Sequence, residues 1–397
     1  MLCSLCENKK LIEGFSLGKQ PLANKYPQTP SEILQEPLYE MTVDFCTNCL
    51  SAQLHVNVPR TVFFQDYYYL SSVNQELREH FNDLSKELAS KRYVLDIGSN
   101  DGILLNPLKT LDVKCLGIDP SENVGNIANE KGLKTLITFF DETCFKEILH
   151  FGGSPDCIVA SSVFTHLENP NLFIKNLKKI MAPEGEIIIE VEYLKNIIDQ
   201  IQFERFYFDR TYYYSFTSIF KLFEKNGMRV VDVKQITPHG GSLRVYIRND
   251  GFKTKVNSRV NELLNLESKT LSLVAIRKSF EVFKTEIRKL KKGLKKAKLE
   301  GQVAIGYGAP ARLATITNFG DIDSNFLDYV IDDSPLKASR FSPGKHIPIK
   351  SFNEASEKDI DIIVLFAYEY YSSIRKKFKD SHMNFFKPIP YKLISES

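Results

Sequence analysis

The sequence predicts an α/β protein built on a mainly parallel, doubly wound sheet, and three observations carry that expectation. The apolar run Tyr93 to Ile97 contains Asp96 and breaks into Gly98-Ser99-Asn100-Asp101-Gly102 before a new helical pattern begins. Strand candidates then alternate with helical patterns, as a parallel sheet with crossover helices requires. A second strand, glycine turn and helix follows at Val303 to Ala311, so the C-terminal hundred residues read as another Rossmann-like unit.

In chain order, residues 1–75 carry two cysteine pairs, several prolines and short aromatic stretches. Cys3-Ser-Leu-Cys6 and Cys46-Thr-Asn-Cys49 lie 39 residues apart, and each can present two sulfurs from one tight turn. Four thiolates so arranged suit tetrahedral zinc in a closed site, where the metal folds the module instead of doing chemistry. Cys115, Cys144 and Cys157 sit in or beside apolar runs and read as buried small residues. From Gln75 to Arg92 the spacing of Leu77, Phe81, Leu84 and Leu88 is helical.

Strands are expected at Tyr93 to Ile97, Lys114 to Ile118, Asp156 to Ala160, Gly185 to Glu190, Arg229 to Gln235 and Ser242 to Arg248, with helical patterns between the first four. The charged stretch Lys253 to Leu299 reads as a long amphipathic helix or helix pair whose lysines form a solvated face. Further strands are expected near Leu327 to Ile331 and Ile360 to Phe366. The domain limits that follow are 1–75, 76–252, a helical linker at 253–299, and 300–397.

At 397 residues the chain calls for two or three cores. Its 43% hydrophobic and 25% charged residues are those of a soluble globular protein, and a net charge of +3 at this length demands no nucleic-acid surface. No apolar run approaches the roughly 18 residues that span a bilayer. The N-terminus opens on cysteines and charges instead of a signal segment, so a cytoplasmic protein without a membrane partner is expected. Oligomeric state stays open, and a monomer fits.

The first glycine loop is the ligand loop. Gly98 and Gly102 let backbone N–H groups come close to a bound molecule. Asp119 ends the next apolar run 23 residues after Asp96, where an acid can take both hydroxyls of a ribose. The spacing fits a nucleoside-type cofactor and leaves its identity open.

Ten ordered pieces decide more: CSLC, SLGKQPLAN, EPLYEMTVDFCTNC, DYYYLSS, VLDIGSNDG, SSVFTHLENP, IIIEVEYL, HGGSLRV, GYGAPAR and VIDDSPLKASRFSPGKHIPI. Through them the chain resembles, from end to end, the three-domain S-adenosylmethionine-dependent sugar C-methyltransferases that act on nucleotide-linked 4-keto-deoxysugars. The resemblance implies a zinc-binding N-terminal domain, a central Rossmann-like methyltransferase domain and a Rossmann-like C-terminal domain. It implies that Asp96, Gly98, Asn100 and Gly102, with Ser99 and Asp101 in the same loop, line the methionine and ribose part of S-adenosylmethionine. Asp119, next to Pro120, would take the ribose hydroxyls, and Ser161 and Val163 would close the adenine and methionine side. NAD is the competing ligand for such glycines, but GSNDG does not have the GxGxxG spacing.

The expected reaction is C-methylation of a nucleotide-linked keto-deoxysugar through an enolate. The alternatives are O- or N-methylation of a related activated sugar or small molecule, or a catalytically silent binding protein of the same fold. A sugar carbon becomes nucleophilic when a base removes the proton beside the keto group and donors stabilise the enolate. Members of the family carry a Tyr-His-Glu-His run whose second histidine is the natural base. The aligned residues here are Tyr207-Phe208-Asp209-Arg210, and arginine cannot serve as that base.

Three readings stay open. Asp209 takes the proton, with Arg210 and Tyr207 donating to the oxyanion. His166 or His239 is the base. Or the acceptor differs and Arg210 grips its carboxylate or phosphate. Tyr69, in the Tyr-rich run, is the match for a family tyrosine that reaches the sugar. Glu192 stands where the family has proline, and Arg312 of GYGAPAR is placed to meet a pyrophosphate.

Overall fold

The computed structural model describes residues 2–56, 58–59, 63, 70–251, 254–355, 360–378 and 383–394. Tyr69 lies outside the described residues. Three sheets organise these residues.

The central sheet has the order β10-β11-β8-β7-β4-β5-β6, formed by β4 (Tyr93–Ile97), β5 (Lys114–Asp119), β6 (Thr135–Ile137), β7 (Cys157–Ser161), β8 (Glu186–Glu192), β10 (Met228–Ile236) and β11 (Ser242–Asn249). β4 pairs parallel with β5 and β7, and β7 pairs parallel with β8. β11 enters antiparallel to both β8 and β10, which is where the mainly parallel expectation meets its exception. The cause is the connection: β10 and β11 are joined through His239-Gly240-Gly241 with no crossover helix between them. All five residues of β4 are buried, as a strand covered on both faces requires. The helix over it, Gln75–Glu87, is capped by Asn74, whose side chain accepts from Leu77 N, and buries Leu77, Phe81 and Leu84. It stops five residues short of the sequence expectation.

The N-terminal sheet has the order β1-β2-β3-β9, from β1 (Leu11–Gln20), β2 (Tyr39–Cys46) and β3 (Ala52–Leu54). Its fourth strand, β9 (Tyr212–Tyr213), comes from the middle of the chain and pairs antiparallel with β3, Tyr213 opposite Ala52. The Tyr-rich run 212–214 is therefore a buried seam between the cysteine module and the central sheet, with its three rings almost wholly buried.

The C-terminal sheet has the order β14-β15-β13-β12-β16-β17-β18. Its parallel centre is β12 (Ala304–Tyr307), β13 (Val330–Ile331), β15 (Pro348–Lys350), β16 (Ile362–Leu365) and β17 (Asn384–Lys387), flanked by the antiparallel edges β14 (Arg340–Phe341) and β18 (Lys392–Leu393).

The charged stretch before it is a helix pair, Ser258–Thr270 and Leu273–Leu299, broken where Ser272 caps the second helix through Ala275 N. Ile276, Phe280, Phe283, Ile287, Leu290 and Leu294 recur on one buried face of the longer helix. Phe280 packs on Phe15 of β1 and on Phe203 at ring separations of 4.7 and 5.3 Å. The connecting segment is thus part of a core shared by the N-terminal sheet, the C-terminal sheet and the segment Leu194 to Phe208 that follows β8.

Candidate functional site

The carboxyl end of the central sheet, Asn24 of the N-terminal module and loop and helix residues of the C-terminal unit enclose one cavity of about 390 Å³. One wall is the carboxyl end of the central sheet. Gly98 leaves β4 with φ +76°, and a Cβ there would overlap Val163 Cγ2, so the loop can lie against the end of β7 only as glycine. Asn100 also takes a left-handed φ of 49°. Its amide donates to Asp119 Oδ2 at 2.9 Å, while Ser121 N donates to Asp119 Oδ1 at 2.9 Å. Asp119 thereby clasps the two loops together at the cavity edge. Burial raises its carboxyl above the usual range, and the two amide bonds oppose that rise.

Of the expected cofactor residues, Asp96, Gly98, Ser99, Asn100, Asp119, Pro120, Ser161 and Val163 line the cavity. Asp101 and Gly102 do not line it. Asp101 accepts from Ser72 N at 3.2 Å and faces Lys131 at 3.4 Å, so it ties the loop to neighbouring segments. Gly102 lies against Leu133. The same wall contains Glu190, which the sequence marks beside Glu192 at the end of its strand, and His80, which the sequence did not single out. Glu190 of β8 accepts from Ser161 Oγ at 2.7 Å and Arg244 Nε at 2.7 Å, and it meets His80 Nε2 at 2.9 Å. Burial would raise its carboxyl, but His80, Arg244 and Ser161 outweigh it and hold it at about 2. Asp96 has no such partners among the described residues. Burial, then the charges of Asp119 and Glu190, push it up to about 8.

The opposite end gathers Tyr207, Asp209, Arg210, His166 and His239, all at the cavity wall. Their positions follow from β9: Thr211 N donates to Thr165 O at 2.8 Å and Leu54 N to Thr211 O at 3.0 Å, which pins the run just before the strand. His166 Nδ1 faces the main-chain carbonyl of Asp209. A carbonyl only accepts, so Nδ1 carries the proton and Nε2 keeps its lone pair. Burial lowers the His166 pKa, and Arg210 pushes the same way. Asp209 accepts from Asn24 Nδ2 of the N-terminal module at 3.0 Å, and burial raises its carboxyl.

Arg210 lies over the Tyr207 ring at 4.6 Å and ion-pairs with Glu192 through Nη2. Its Nε and Nη1 are buried without hydrogen-bond partners among the described residues. Glu192, in the family's proline position, thus anchors the arginine in the family's histidine position. His239 sits at φ +57° between Gly240 and Gly241, and burial lowers its pKa.

The C-terminal sheet supplies the third wall through Pro310, Ala311, Arg312, Lys337 and Tyr370. Arg312 and Arg205 both donate to Glu369 Oε1, at 2.7 and 2.9 Å. The turn after β12 repeats the clasp of the central sheet: Ala309 N and Ser334 N donate to Asp332 at 2.6 and 2.9 Å. Asn24, Arg205 and Lys337 were not expected at the site. Arg205 alone had a local signal, five residues before Arg210 in one aromatic stretch.

Away from the cavity, the sulfurs of Cys3, Cys6, Cys46 and Cys49 lie within 4.8 Å of one another, Cys3 to Cys49 at 3.7 Å and Cys6 to Cys46 at 3.6 Å. Four sulfurs at about 2.3 Å from one zinc ion would stand about 3.8 Å apart, so the cluster fits that metal. Among the described residues it is the single His, Cys, Asp or Glu group of this kind.

Residues 3–64 match the family described as "Putative zinc binding domain", 69–233 that described as "Methyltransferase domain", and 237–390 the "C-methyltransferase C-terminal domain". The chain is an S-adenosylmethionine-dependent methyltransferase. The methyltransferase is 27% identical over 402 residues to the C-methyltransferase NovU of Streptomyces niveus, covering 98% of this chain and 95% of that protein. It is also 30% identical over 149 residues to a mitochondrial ubiquinone biosynthesis O-methyltransferase of Rattus norvegicus, covering 35% of this chain and 39% of that one. Among solved structures, magnesium protoporphyrin IX methyltransferase from Synechocystis PCC 6803 with bound SAH overlaps 46% of this chain and 90% of that one, at TM-score 0.36 and 17% identity. S-adenosylmethionine and zinc are the cofactors of this methyltransferase. Among the described residues no helix is long and apolar enough to cross a membrane.

Proposed function

We propose that this methyltransferase C-methylates a nucleotide-linked keto-deoxysugar through an enolate, in the cytoplasm, with His166 as the general base. The observation that carries the reading is the His166 tautomer. Its Nδ1 proton is committed to the Asp209 carbonyl, so Nε2 is the nitrogen able to accept a proton at the cavity. Burial and the neighbouring Arg210 keep the ring neutral. Asp209 is the weaker candidate, because burial favours its protonated form and Asn24 occupies Oδ2.

In this reading Nε2 of His166 removes the proton from the carbon beside the sugar ketone. Arg210 donates from Nε or Nη1 to the oxygen on which charge develops, and its permanent charge supplies what a neutral donor could not. Tyr207, held beneath the guanidinium, adds a phenol whose proton burial retains. Bound S-adenosylmethionine supplies an electrophilic methyl group on a sulfonium. Asp96, Asn100, Asp119, Ser161 and Val163 would hold it at the opposite end of the same cavity, within reach of the acceptor. Arg312, Lys337 and the open N-terminus of the helix Ala311–Gly320 would receive the nucleotide diphosphate. Cys3, Cys6, Cys46 and Cys49 would hold zinc away from the chemistry, as a fold element.

A second reading is favoured by one observation: the free Nε and Nη1 of Arg210 would also suit an acceptor that carries a carboxylate.

Solvent deuterium exchange at the carbon beside the ketone, followed by NMR on a panel of nucleotide ketosugars, tests the base without requiring methyl transfer. His166→Asn should lower exchange by about 10² or more, and Asp209→Asn by much less. Full exchange in His166→Asn would remove His166 from the role. No exchange and no S-adenosylhomocysteine formation on any ketosugar, with turnover on a carboxylated acceptor, would favour the second reading.

A further inference from the structure

Three acids, Glu190, Asp119 and Asp96, line the cofactor end of the cavity, and they are not equivalent. Glu190 is met by His80 from the helix Gln75–Glu87, by Arg244 from β11 and by Ser161 from β7. Asp119 receives two backbone amides. Asp101, whose charge is felt at Asp119, faces Lys131. Asp96, on β4 between them, is 4% exposed, lines the cavity, and has no hydrogen-bond donor or cation against it among the described residues. The other titratable groups beside it, Cys115 of β5 and Cys157 of β7, are thiols that burial keeps protonated, with the charge of Asp96 adding to that rise.

A carboxylate in that position is held towards its protonated form. Burial penalises its charge, and two neighbouring carboxylates repel it. The unfilled cavity therefore favours a proton on Asp96. The methyl donor brings a sulfonium and an ammonium against one carboxylate, a net positive charge. The demethylated product has a neutral thioether in place of the sulfonium and is otherwise the same molecule.

We infer that Asp96 is a specificity residue that distinguishes the charged donor from the uncharged product by exchanging a proton. Donor entry replaces the Asp96 proton, which leaves to solvent, so the acid becomes the counter-ion of the bound cation. Once the methyl group has moved to the acceptor, the sulfonium charge is gone, the ammonium that stays is balanced by the ligand's own carboxylate, and Asp96 takes a proton back. The product then sits beside a neutral acid that holds it less tightly. Donor affinity should accordingly rise with pH across the range in which the empty site is protonated, and product affinity should not.

This inference rests on the cofactor lying in this cavity, and the measurement separates the two failures. The zinc-loaded protein is titrated with S-adenosylmethionine and with S-adenosylhomocysteine by calorimetry between pH 6 and 8.5, in two buffers of different ionisation enthalpy. The α-amino group common to both ligands titrates in the same range, so the difference between them is the quantity read. The expected result is that the ratio of donor to product affinity climbs by about tenfold per pH unit below pH 8, with up to one extra proton released on donor binding.

Asp96→Asn should flatten that ratio while S-adenosylhomocysteine still binds within about threefold of the parent, because no charge faces its thioether. Equal pH slopes and equal proton release for the two ligands in the unaltered protein overturn the inference and leave the cofactor reading intact. A slope that survives in a folded Asp96→Asn protein overturns it as well. Failure of both ligands to bind would instead overturn the cofactor's placement, and the inference with it.

Discussion

In the central sheet, Asp119 accepts the amides of Asn100 and Ser121 and so joins the glycine loop after β4 to the start of the next helix. In the C-terminal sheet, Asp332 accepts the amides of Ala309 and Ser334 across the glycine turn after β12. The two clasps use the same atoms in the same order, and both turns open on the same cavity. Their surroundings differ. Around the first the cavity wall carries the carboxylates of Asp96 and Glu190; around the second it carries Arg312, Lys337 and Arg205, which meet Glu369 and Asp332. In the proposed reading one backbone device serves two ligands, and the side chains around it decide which is received. That division agrees with a positively charged methyl donor at one end and a phosphorylated acceptor at the other.

Metal removal should separate the two ends most strongly. The acceptor run Tyr207–Tyr214 leans on β3 of the zinc module, whereas the donor loop belongs to the central sheet. Chelation should therefore abolish turnover by about 10³-fold or more as the module unfolds, with a smaller loss of S-adenosylhomocysteine affinity. A chelated protein that keeps its circular dichroism spectrum and its turnover would contradict this.

Next in size, Asp119→Ala leaves two loop amides unpaired, at about 1–3 kcal/mol each, and should weaken donor binding by about 10²-fold. Asp332→Ala should leave donor affinity within threefold. Calorimetry on the pair checks it, and equal losses would mean that the clasps are not assigned to separate ligands.

Arg312→Ala should raise the acceptor KM by about tenfold, an effect that shrinks with added salt, and leave kcat nearly constant.

The smallest effect is on stability. His166 and His239 have pKa values lowered by burial, so the folded state binds fewer protons than the unfolded chain. Their contribution is complete above the unfolded value near 6.5 and is lost as pH falls below it. Asp96, pushed up to about 8, contributes the opposite slope, so the quantity to compare is the parent against His239→Asn: between pH 7 and pH 5.5 thermal midpoints should shift downward more in the parent than in the variant. Equal shifts in the two proteins would remove His239 from this role.

The donor end was legible because its parts are close in sequence. Gly98, Asn100 and Asp119 are set by adjacent parallel strands, and a strand–glycine–helix motif implies their geometry almost by itself. Even there, Asp101 and Gly102 turn away from the cavity, because Asp101 is held by Ser72 and Lys131 and Gly102 packs against Leu133, partners that lie outside the motif. His80 and Arg244 were not legible. They reach Glu190 from a helix before β4 and from the antiparallel strand β11, whose register sets Arg244 opposite Glu190. The acceptor end was legible only as a departure. The sequence marks Arg210 where a histidine is usual and Glu192 where a proline is usual, but their pairing depends on β8 and the 207–214 run being brought side by side.

From the sequence alone came the fold class, the four clustered cysteines and the two glycine turns, since each is encoded in local spacing that backbone geometry converts directly into structure; the methyl donor followed from the resemblance that ten ordered pieces carry, because the spacing by itself leaves the cofactor open. The tertiary structure alone decided which groups gather at the opposite end of the cavity. That end is assembled from Asn24, His166, Arg205, Arg210 and Arg312, residues of three domains that meet only when β9 crosses into the N-terminal sheet and the helix Leu273–Leu299 closes the shared core. Contacts between distant segments depend on how buried faces pack together, and periodicity within one segment carries no record of its partner.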